Sequence, residues 1–389
     1  MNKEAVLFAL IRSVICGESV SEEVKTACAS ALLEEVYALA AKHDLAHMVG
    51  QAVSKFPLPE SESLTKCKKS AMAAFARYMR LEHECQQVFQ ALEAAQITYL
   101  PLKGTVLRAY YPEPWLRTSC DADILVKKAQ LDAASKVLTE KLGCRYSEKT
   151  SHDISFYTPS GAHIELHFDL VEDGRANAAS QVLSHVWENA SVLEGHSFRY
   201  EMSDAFFYFY HIAHMAKHFE TGGCGIRPFI DLWILDHQKH EPAQRDALLQ
   251  SSDLLRFAEV ARKLSRVWFG GETEDPLSGK LQNFLLHGGV YGSMDNRVAL
   301  KKKDGGSRLR YILSRVFAPY EKLRVYYPIL EKHRWLMPVM QIRRWFMLLQ
   351  PHVWHMAKGE LAANRSINST HAQDAGELLE ELGINTSVW

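Results

Sequence analysis

Residues 120–126 read CDADILV, and this heptapeptide decides the fold of the middle of the chain. Small or apolar residues at positions 120, 122, 124 and 126 alternate with Asp121 and Asp123, which is the period of a strand with one buried face. Two aspartates at this spacing project from the same face, and a cation relieves their mutual repulsion. The pattern predicts a strand that binds a divalent metal, with Mg²⁺ as the expected ion and Mn²⁺ as the alternative.

The stretch before this strand, ITYLPL at 97–102, has the pattern of a short buried strand that leads through a KGT turn into a short helix. The backbone N–H groups of a glycine turn that opens into a helix bind phosphate. Lys103 in this turn either neutralises phosphate charge or is one more surface lysine beside a tight turn. Arg117, shortly before the aspartates, has the same two interpretations.

The residues after the aspartate strand predict a β-hairpin with polar residues on one face. CRYSE, DISFYT and AHIELHFDL read as strands, and a Pro-Ser-Gly turn at 159–161 joins the last two. Polar side chains alternate with apolar ones in the last strand and form one face: His163, Glu165, His167 and Asp169. A third carboxylate is therefore available on a strand.

This order of strand, glycine turn, helix, Asp-X-Asp strand and hydrophobic-Glu-hydrophobic hairpin resembles the nucleotidyltransferase fold of the DNA polymerase β superfamily. The resemblance is narrower to the bacterial uncharacterised nucleotidyltransferase family. It rests on YLPLKGTVL, Arg117, DADILV and IELHFDL, and on two later segments, HIAHMAKHFETGGCGIRPFIDLWIL and RYILSRVFAPYEKLRVYYPILEKHRWLMPV. The resemblance covers most of the chain up to about residue 350. Thr105 departs from the usual Gly or Ser after the turn glycine, and Ala122 departs from the more usual Ile. Thr105 retains a hydroxyl but adds a β-branch in the turn, and Ala122 loosens the packing behind the site but leaves both aspartate ligands in place.

The resemblance implies a metal-dependent enzyme that moves a nucleoside monophosphate from a nucleoside triphosphate, with ATP expected, to an acceptor hydroxyl or phosphate, releasing pyrophosphate. It assigns metal binding and catalysis to Asp121, Asp123 and Glu165, with Asp169 as the fallback third acid. Binding of the triphosphate is assigned to Lys103, Gly104, Thr105 and Arg117. The substrate side of the cleft is assigned to His167, His214, His218 and Arg227. The alternative is a catalytically inactive nucleotide-sensing or partner-binding module of the same fold.

The fold class predicted for the whole chain is α+β. An N-terminal helical region is expected at 1–95, a nucleotidyltransferase domain with a central mixed sheet at 96–200, and a C-terminal helical domain at 201–389. The stretch from about 270 to 304 is predicted to be a long loop or insert with a solvated lysine run. The basic aromatic stretch at 333–356 is interpreted as core with arginines that reach solvent, and binding to nucleic acid or a membrane surface is the alternative.

Histidines supply a competing hypothesis. His211, His214 and His218 share one face of a predicted helix, so a zinc site or a metal phosphohydrolase is conceivable there. The His-Asp pairs at 43–44 and 152–153 resemble the His-Asp pair of metal phosphohydrolases, but no second histidine set has a fitting spacing. Arg227 and Asp231, four residues apart, form a structural ion pair in the alternative to substrate binding.

Composition limits the classes of function. The 389 residues are 47% hydrophobic and 23% charged, which is typical of a folded globular chain. A formal net charge of -1 provides no global field for long nucleic acid, so a small-molecule acceptor is favoured. The 7 cysteines include no CxxC pair and indicate a reducing cytoplasm. No stretch reaches the roughly 20 apolar residues of a membrane span.

Overall fold

The aspartate strand lies inside a five-stranded mixed sheet. The structure is a computed structural model and describes residues 1–172, 177–220, 222–290, 292, 296, 316–320, 323–324, 327, 329–347 and 369–384. The strands are β1 (Tyr99–Pro101), β2 (Asp121–Val126), β3 (Arg145–Lys149), β4 (Asp153–Tyr157) and β5 (His163–His167). Their order is β1-β2-β5-β4-β3, with β2 and β5 parallel and the other neighbours antiparallel. The predicted α+β class with a mixed central sheet is confirmed.

Helices form the chain before the sheet, as the sequence predicts. They are α1 (Lys3–Ile15), α2 (Glu22–Cys28), α3 (Leu32–Lys42), α4 (Ala46–Val53) and α5 (Glu62–Ala94). Asn2, Ser21 and Ser61 cap α1, α2 and α5, because each side chain accepts a hydrogen bond from a backbone N–H of the first turn. Gly50 lets α4 approach α5 closely, since a Cβ there would lie 2.1 Å from the carbonyl oxygen of Cys67.

The remaining elements are mostly helical. Within and after the sheet lie α6 (Lys103–Leu107), α7 (Leu131–Lys136), α8 (Ala178–Leu183), β6 (Ala190–Val192) and β7 (Tyr200–Met202). They are followed by α9 (Asp204–Glu220), α10 (Arg227–Asp236), α11 (Pro242–Ser251), α12 (Leu255–Gly270) and α13 (Pro276–His287). Helix α13 lies in the stretch predicted as a loop from about 270 to 304, so that prediction is wrong for these residues. The lysine run at 301–303 lies outside the described residues.

The two faces of the sheet pack against different groups of helices. Ala122, Ile124 and Val126 of β2 pack in a core with Leu81 and Val88 of α5. A larger core joins the N-terminal helices to α9, α10 and α12 and reaches Leu100, Leu102 and Leu125 of the sheet. The aspartates of β2 therefore point away from α5, as the alternation predicts. The domain boundaries at 95 and 200 stay a prediction.

The C-terminal part contains the short helix α14 (Ile329–Lys332), α15 (Met337–Met347) and α16 (Ser369–Glu381). The interpretation of the basic aromatic stretch as core is wrong for one face of α15, because Val339, Ile342 and Phe346 are exposed. Met337 and Met340 pack against a small separate cluster around Leu323 and Leu330. Residues 348–356 of that stretch lie outside the described residues. Within the described part of the chain, no helix combines the length and apolarity needed to cross a membrane.

Candidate active site

The pairing of β2 with β5 brings the predicted acids together. In this parallel pair Asp121 lies opposite His163 and Asp123 opposite Glu165. The side chains of these four residues share one face, since alternate residues of a strand point the same way. Potential ligand atoms of Asp121, His163 and Glu165 lie within 4.8 Å of one another, and so do those of Asp123, Glu165 and His167. Glu165 therefore belongs to two adjacent groups, each able to hold a metal ion.

Asp123 is buried and already has two polar partners, the ammonium group of Lys103 and the imidazole of His167. Its Oδ1 accepts a hydrogen bond from Lys103 Nζ at 2.7 Å and lies 2.9 Å from His167 Nε2. Burial raises the pKa of Asp123, but Lys103 and His167 lower it further, and the net pKa lies well below the ordinary value. For Lys103, burial lowers the pKa while Asp123 raises it more, so the ammonium group stays protonated. Lys103 is therefore no ordinary surface lysine.

Asp121 carries the unbalanced charge of the site. Its pKa is raised, first by burial and then by the negative charges of Asp123 and Glu165. A divalent cation would relieve this repulsion, and carboxylate oxygens are the ligands that Mg²⁺ prefers. The residues present therefore fit the metal that the family resemblance implies.

The KGT turn lies at the edge of the same site. Lys103 has a φ of +44°, in the left-handed region that favours glycine, and its ammonium group contacts Asp123. Gly104 is packed tightly, because a Cβ there would come 3.3 Å from both Arg117 Nη1 and the Cβ of Ser119. The hydroxyl of Thr105 is buried without a hydrogen-bond partner, and Thr105 does not line the cavity beside the aspartates.

A cavity of about 310 Å³ joins the carboxylates to the helical regions. Of the residues predicted from sequence, its walls contain Lys103, Gly104, Arg117, Asp121, Asp123, His214, His218 and Arg227. The walls also contain residues that the sequence did not single out for this site, among them His43, Asp44, Ser119, Cys120, Tyr210 and Cys224. Asp44 carried only a weak sequence signal, as an Asp at the end of a helical pattern, where Asp often adopts the left-handed conformation that the structure shows with a φ of +56°. Tyr210 precedes His214 by one helical turn and so shares its face.

Glu165 and His167 lie beside this cavity, on the strand paired with β2. Asp169 does not join the acids, since its Oδ1 accepts a hydrogen bond from the backbone N–H of Val171. Among the described residues, the groups able to hold a metal ion include Glu165 but not Asp169. Glu165 is therefore the acid that the geometry favours.

Arg117 and Arg227 pair with two different aspartates, and neither pair was expected from the sequence. Arg117 Nε donates to Asp231 Oδ1 at 2.7 Å, and the Tyr111 hydroxyl donates to the same oxygen at 2.6 Å. Arg227 Nη1 instead donates to Asp44 Oδ2 at 3.0 Å. The proposed ion pair between Arg227 and Asp231 is therefore wrong. Burial raises the pKa of Asp231, but Arg117 lowers it more, so this buried carboxylate stays ionised.

The histidines of α9 form an uncharged wall. Burial lowers the pKa of His214 well below its ordinary value and that of His218 to about 4, and nearby lysines act in the same direction. His211 Nε2 lies 2.9 Å from the carbonyl oxygen of Pro228. Within the described part of the chain, none of the groups able to hold a metal ion includes these histidines, so the zinc or phosphohydrolase hypothesis for this helix has no support.

An Asp-X-Asp strand in a mixed sheet, a third carboxylate on its parallel neighbour and a glycine turn beside one cavity define the nucleotidyltransferase class. A family model described as uncharacterised nucleotidyltransferase matches residues 30–270, which include α3 to α12 and every residue of the site. The chain belongs to this family, as its motifs predict. No curated protein and no solved structure matches the chain.

Proposed function

We propose that the protein is a metal-dependent nucleotidyltransferase that moves a nucleoside monophosphate from a nucleoside triphosphate, with ATP as the expected donor, to a hydroxyl or phosphate of a small acceptor. The observation that carries this proposal is the position of Glu165, which shares one possible metal-binding group with Asp121 and another with Asp123, beside the cavity that the glycine turn lines. The acceptor oxygen forms a bond to the α-phosphorus, the bond from the α-phosphorus to the bridging oxygen breaks, and pyrophosphate leaves.

Asp121, Asp123 and Glu165 would hold the metal, for which Mg²⁺ is the expected ion. When bound, it neutralises phosphate charge and stabilises the entering and leaving oxygens. Glu165 has 23% of its side chain exposed, compared with 5% for Asp123, and can accept or orient the proton of the acceptor hydroxyl. Lys103 donates a hydrogen bond to Asp123 and lies in the cavity wall, where its positive charge would neutralise phosphate oxygens.

The cavity also supports the choice of substrates. Its volume of about 310 Å³ is in the range of small-ligand pockets, which is roughly 300–1,000 Å³. Its wall combines the cations Lys103 and Arg227 with histidines that are neutral at pH 7, so negative phosphates meet positive charge without a wholly basic surface. The net charge of -1 provides no extended positive field that would bind a long polyanion such as nucleic acid.

The proposed location is a reducing cytoplasm, which is consistent with the unpaired cysteines.

The test is a calorimetric titration of ATP, GTP, CTP and UTP into the full chain, with and without Mg²⁺. Asp121→Asn and Glu165→Gln remove ligand charge while keeping side-chain shape, so magnesium-dependent triphosphate binding should be lost. Asp169→Asn is the matched control, because it makes the same change on the same segment outside the acid cluster. Equal binding by wild type and both site variants would refute the proposal. A nucleotide that binds wild type and control alone identifies the donor for an acceptor screen.

An inactive nucleotide-sensing module is the second candidate. It is favoured by the ion pair that already compensates Asp123 and by Thr105 in the glycine turn. Such a module would bind the triphosphate but release no pyrophosphate in the presence of any acceptor. Pyrophosphate release that disappears in Glu165→Gln would exclude it.

A further inference from the structure

A second group of potential metal ligands lies next to the nucleotidyltransferase carboxylates and shares His167 with them. Asp153 of β4 is directly opposite His167 of β5, and His152 precedes Asp153 at the start of the same strand. Potential ligand atoms of these three residues lie within 4.8 Å of one another. The His-Asp pair at 152–153 lacked a second histidine in the sequence, and strand pairing supplies it in His167.

The geometry suits a tetrahedral transition metal ion. His152 Nε2 lies 3.2 Å from Asp153 Oδ2. Two ligand atoms bound at about 2.0–2.1 Å in a tetrahedral zinc site are separated by about 3.3 Å, so this pair is already close to the required spacing. The rings of His152 and His167 have centroids 5.8 Å apart and are tilted by 44°. Two imidazoles with one carboxylate favour Zn²⁺ over Mg²⁺, which prefers oxygen ligands.

His167 has one ring nitrogen available for such an ion. Its Nε2 lies 2.9 Å from Asp123 Oδ1, whereas its Nδ1 is buried and has no hydrogen-bond partner. The side chain is only 6% exposed, so water does not readily solvate this nitrogen from the surface. Since Nε2 faces Asp123, Nδ1 is the ring nitrogen of His167 that is left for a metal ion held together with His152 and Asp153.

There is also space for the remaining ligand. His152 and His167 both line a small cavity of about 60 Å³, whose walls include Lys103, Glu172 and Lys217. This volume exceeds the roughly 10–15 Å³ that one water requires. The cavity therefore has room beside the two histidines for a water that would be the fourth ligand of a metal ion with three protein ligands.

We propose that His152, Asp153 and His167 form a Zn²⁺ site, separate from the magnesium site of the proposed reaction. With Zn²⁺ on Nδ1, the proton of His167 lies on Nε2 and is donated to Asp123. The ion thus fixes the tautomer and orientation of the imidazole that supports a carboxylate of the nucleotidyltransferase site. The site itself depends on contacts within β4 and β5 and holds whether or not the chain transfers nucleotides.

The test is equilibrium dialysis of the full, chelator-stripped chain against buffered Zn²⁺ with excess Mg²⁺, followed by elemental analysis. Wild type should retain one Zn²⁺ per chain. His152→Ala should weaken Zn²⁺ binding by at least the roughly 10–100-fold that loss of a partner of a metal ligand costs. His185→Ala, at an exposed histidine beside Glu188, is the matched control and should bind as wild type does.

Asp121→Asn separates the two metal sites. It should keep the Zn²⁺ while losing magnesium-dependent nucleotide binding, if the proposed function is also correct. Loss of Zn²⁺ in Asp121→Asn but not in His152→Ala would place the ion on the carboxylates and overturn the proposal, as would absence of binding by wild type. X-ray absorption at the zinc edge of wild type requires no variant. Two imidazole ligands are expected there, and a shell of oxygen alone would also overturn the site.

Discussion

Two buried aspartates line the same cavity, and each is held by a cation of a different kind. Asp231 accepts from Arg117 Nε at 2.7 Å, and we call these two residues the anchor pair. Asp123 accepts from Lys103 Nζ at 2.7 Å, and we call these two the site pair. The planar guanidinium of Arg117 also donates to the carbonyl oxygen of Thr118, so its orientation is fixed.

The difference teaches which pair can exchange partners. An ammonium group on a flexible four-carbon stem is a point charge that can turn to another anion, whereas a guanidinium fixed by two hydrogen-bond partners cannot turn without breaking both. The side chain of Lys103 is 26% exposed, compared with 10% for Arg117. We therefore expect the anchor pair to support the fold and the site pair to respond to metal and triphosphate.

Loss of the charge of Asp123 should have the largest effect. Asp123→Asn removes a metal ligand, so nucleotide turnover, followed as pyrophosphate release, should fall by roughly 10³-fold, about 4 kcal/mol of transition-state stabilisation. Asp231→Asn makes the same change in the anchor pair and should retain more of the turnover at temperatures where it stays folded. Circular dichroism of both variants checks folding. Equal losses of turnover in the two folded variants would show that the anchor pair and the site pair do not differ in their role in turnover.

Loss of the anchor pair should mainly reduce stability. Asp231→Ala leaves a buried guanidinium and the Tyr111 hydroxyl without their acceptor, so the free energy of unfolding should fall by about 3–5 kcal/mol. Tyr111→Phe removes one donor only and should cost about 1 kcal/mol. Urea unfolding measures both changes. A loss in Asp231→Ala no larger than that in Tyr111→Phe would show that the anchor pair contributes little to the fold.

The histidines near the anchor pair predict how stability depends on pH. Burial lowers the pKa of His43, His47 and His218 to about 4, compared with about 6.5 in an unfolded chain. Between these values the unfolded state binds more protons, so the free energy of unfolding should fall as the pH drops from about 6.5 to 4, by up to about 3 kcal/mol for each residue. Above pH 6.5 this loss is absent.

Urea titrations from pH 7 to pH 4.5 measure this slope. The lowered pKa values of Asp123 and Asp231 place the loss of their contributions below the ordinary carboxyl pKa of about 3.9, so these two carboxylates add little to the slope in this window. The raised pKa of Asp121 acts against the histidines, so the contribution of a histidine is taken from the difference between wild type and its variant. His43→Asn, at a fully buried position, should reduce the slope of the unfolding free energy against pH by an amount corresponding to at most one proton taken up on unfolding. A slope that is unchanged in His43→Asn would contradict a neutral imidazole at this position.

The sequence predicted more about the residues of the site pair than about those of the anchor pair. Strand alternation placed Asp121 and Asp123 on one face, because the strand period is a local property. It did not show that Glu165 lies opposite Asp123, since strand register depends on tertiary pairing. The i, i+4 spacing of Arg227 and Asp231 suggested a pair that the structure does not contain.

The reason is packing between distant segments. Arg227 is the first residue of α10 and contacts Asp44 after α3, whereas Asp231 is buried against the loop that contains Arg117. Helical spacing predicts which side chains share a face, but it does not include partners from elsewhere in the chain. For the same reason His43 and Asp44 entered the sequence analysis only as a His-Asp pair, although both line the cavity.

One of the smaller expected effects provides the sharpest test of the exchangeable site pair. In Lys103→Met the ammonium group no longer competes with a cation for Asp123, so Mn²⁺ should bind the nucleotide-free chain more tightly, by about tenfold if the pair contributes about 1.4 kcal/mol against the metal. Triphosphate binding should weaken at the same time, because a positive charge is lost from the cavity wall.

Electron paramagnetic resonance of free Mn²⁺ measures the first change, and calorimetry with the donor nucleotide measures the second. Lys217→Met is the matched control, because it removes an ammonium group that pairs with Glu172 rather than with Asp123. A metal affinity that falls in Lys103→Met would mean that Lys103 holds Asp123 in place for the ion instead of competing with it. Opposite shifts in metal and nucleotide affinity, absent in the control, would show that the charge of this lysine opposes the metal ion and favours the triphosphate, as an exchangeable site pair requires.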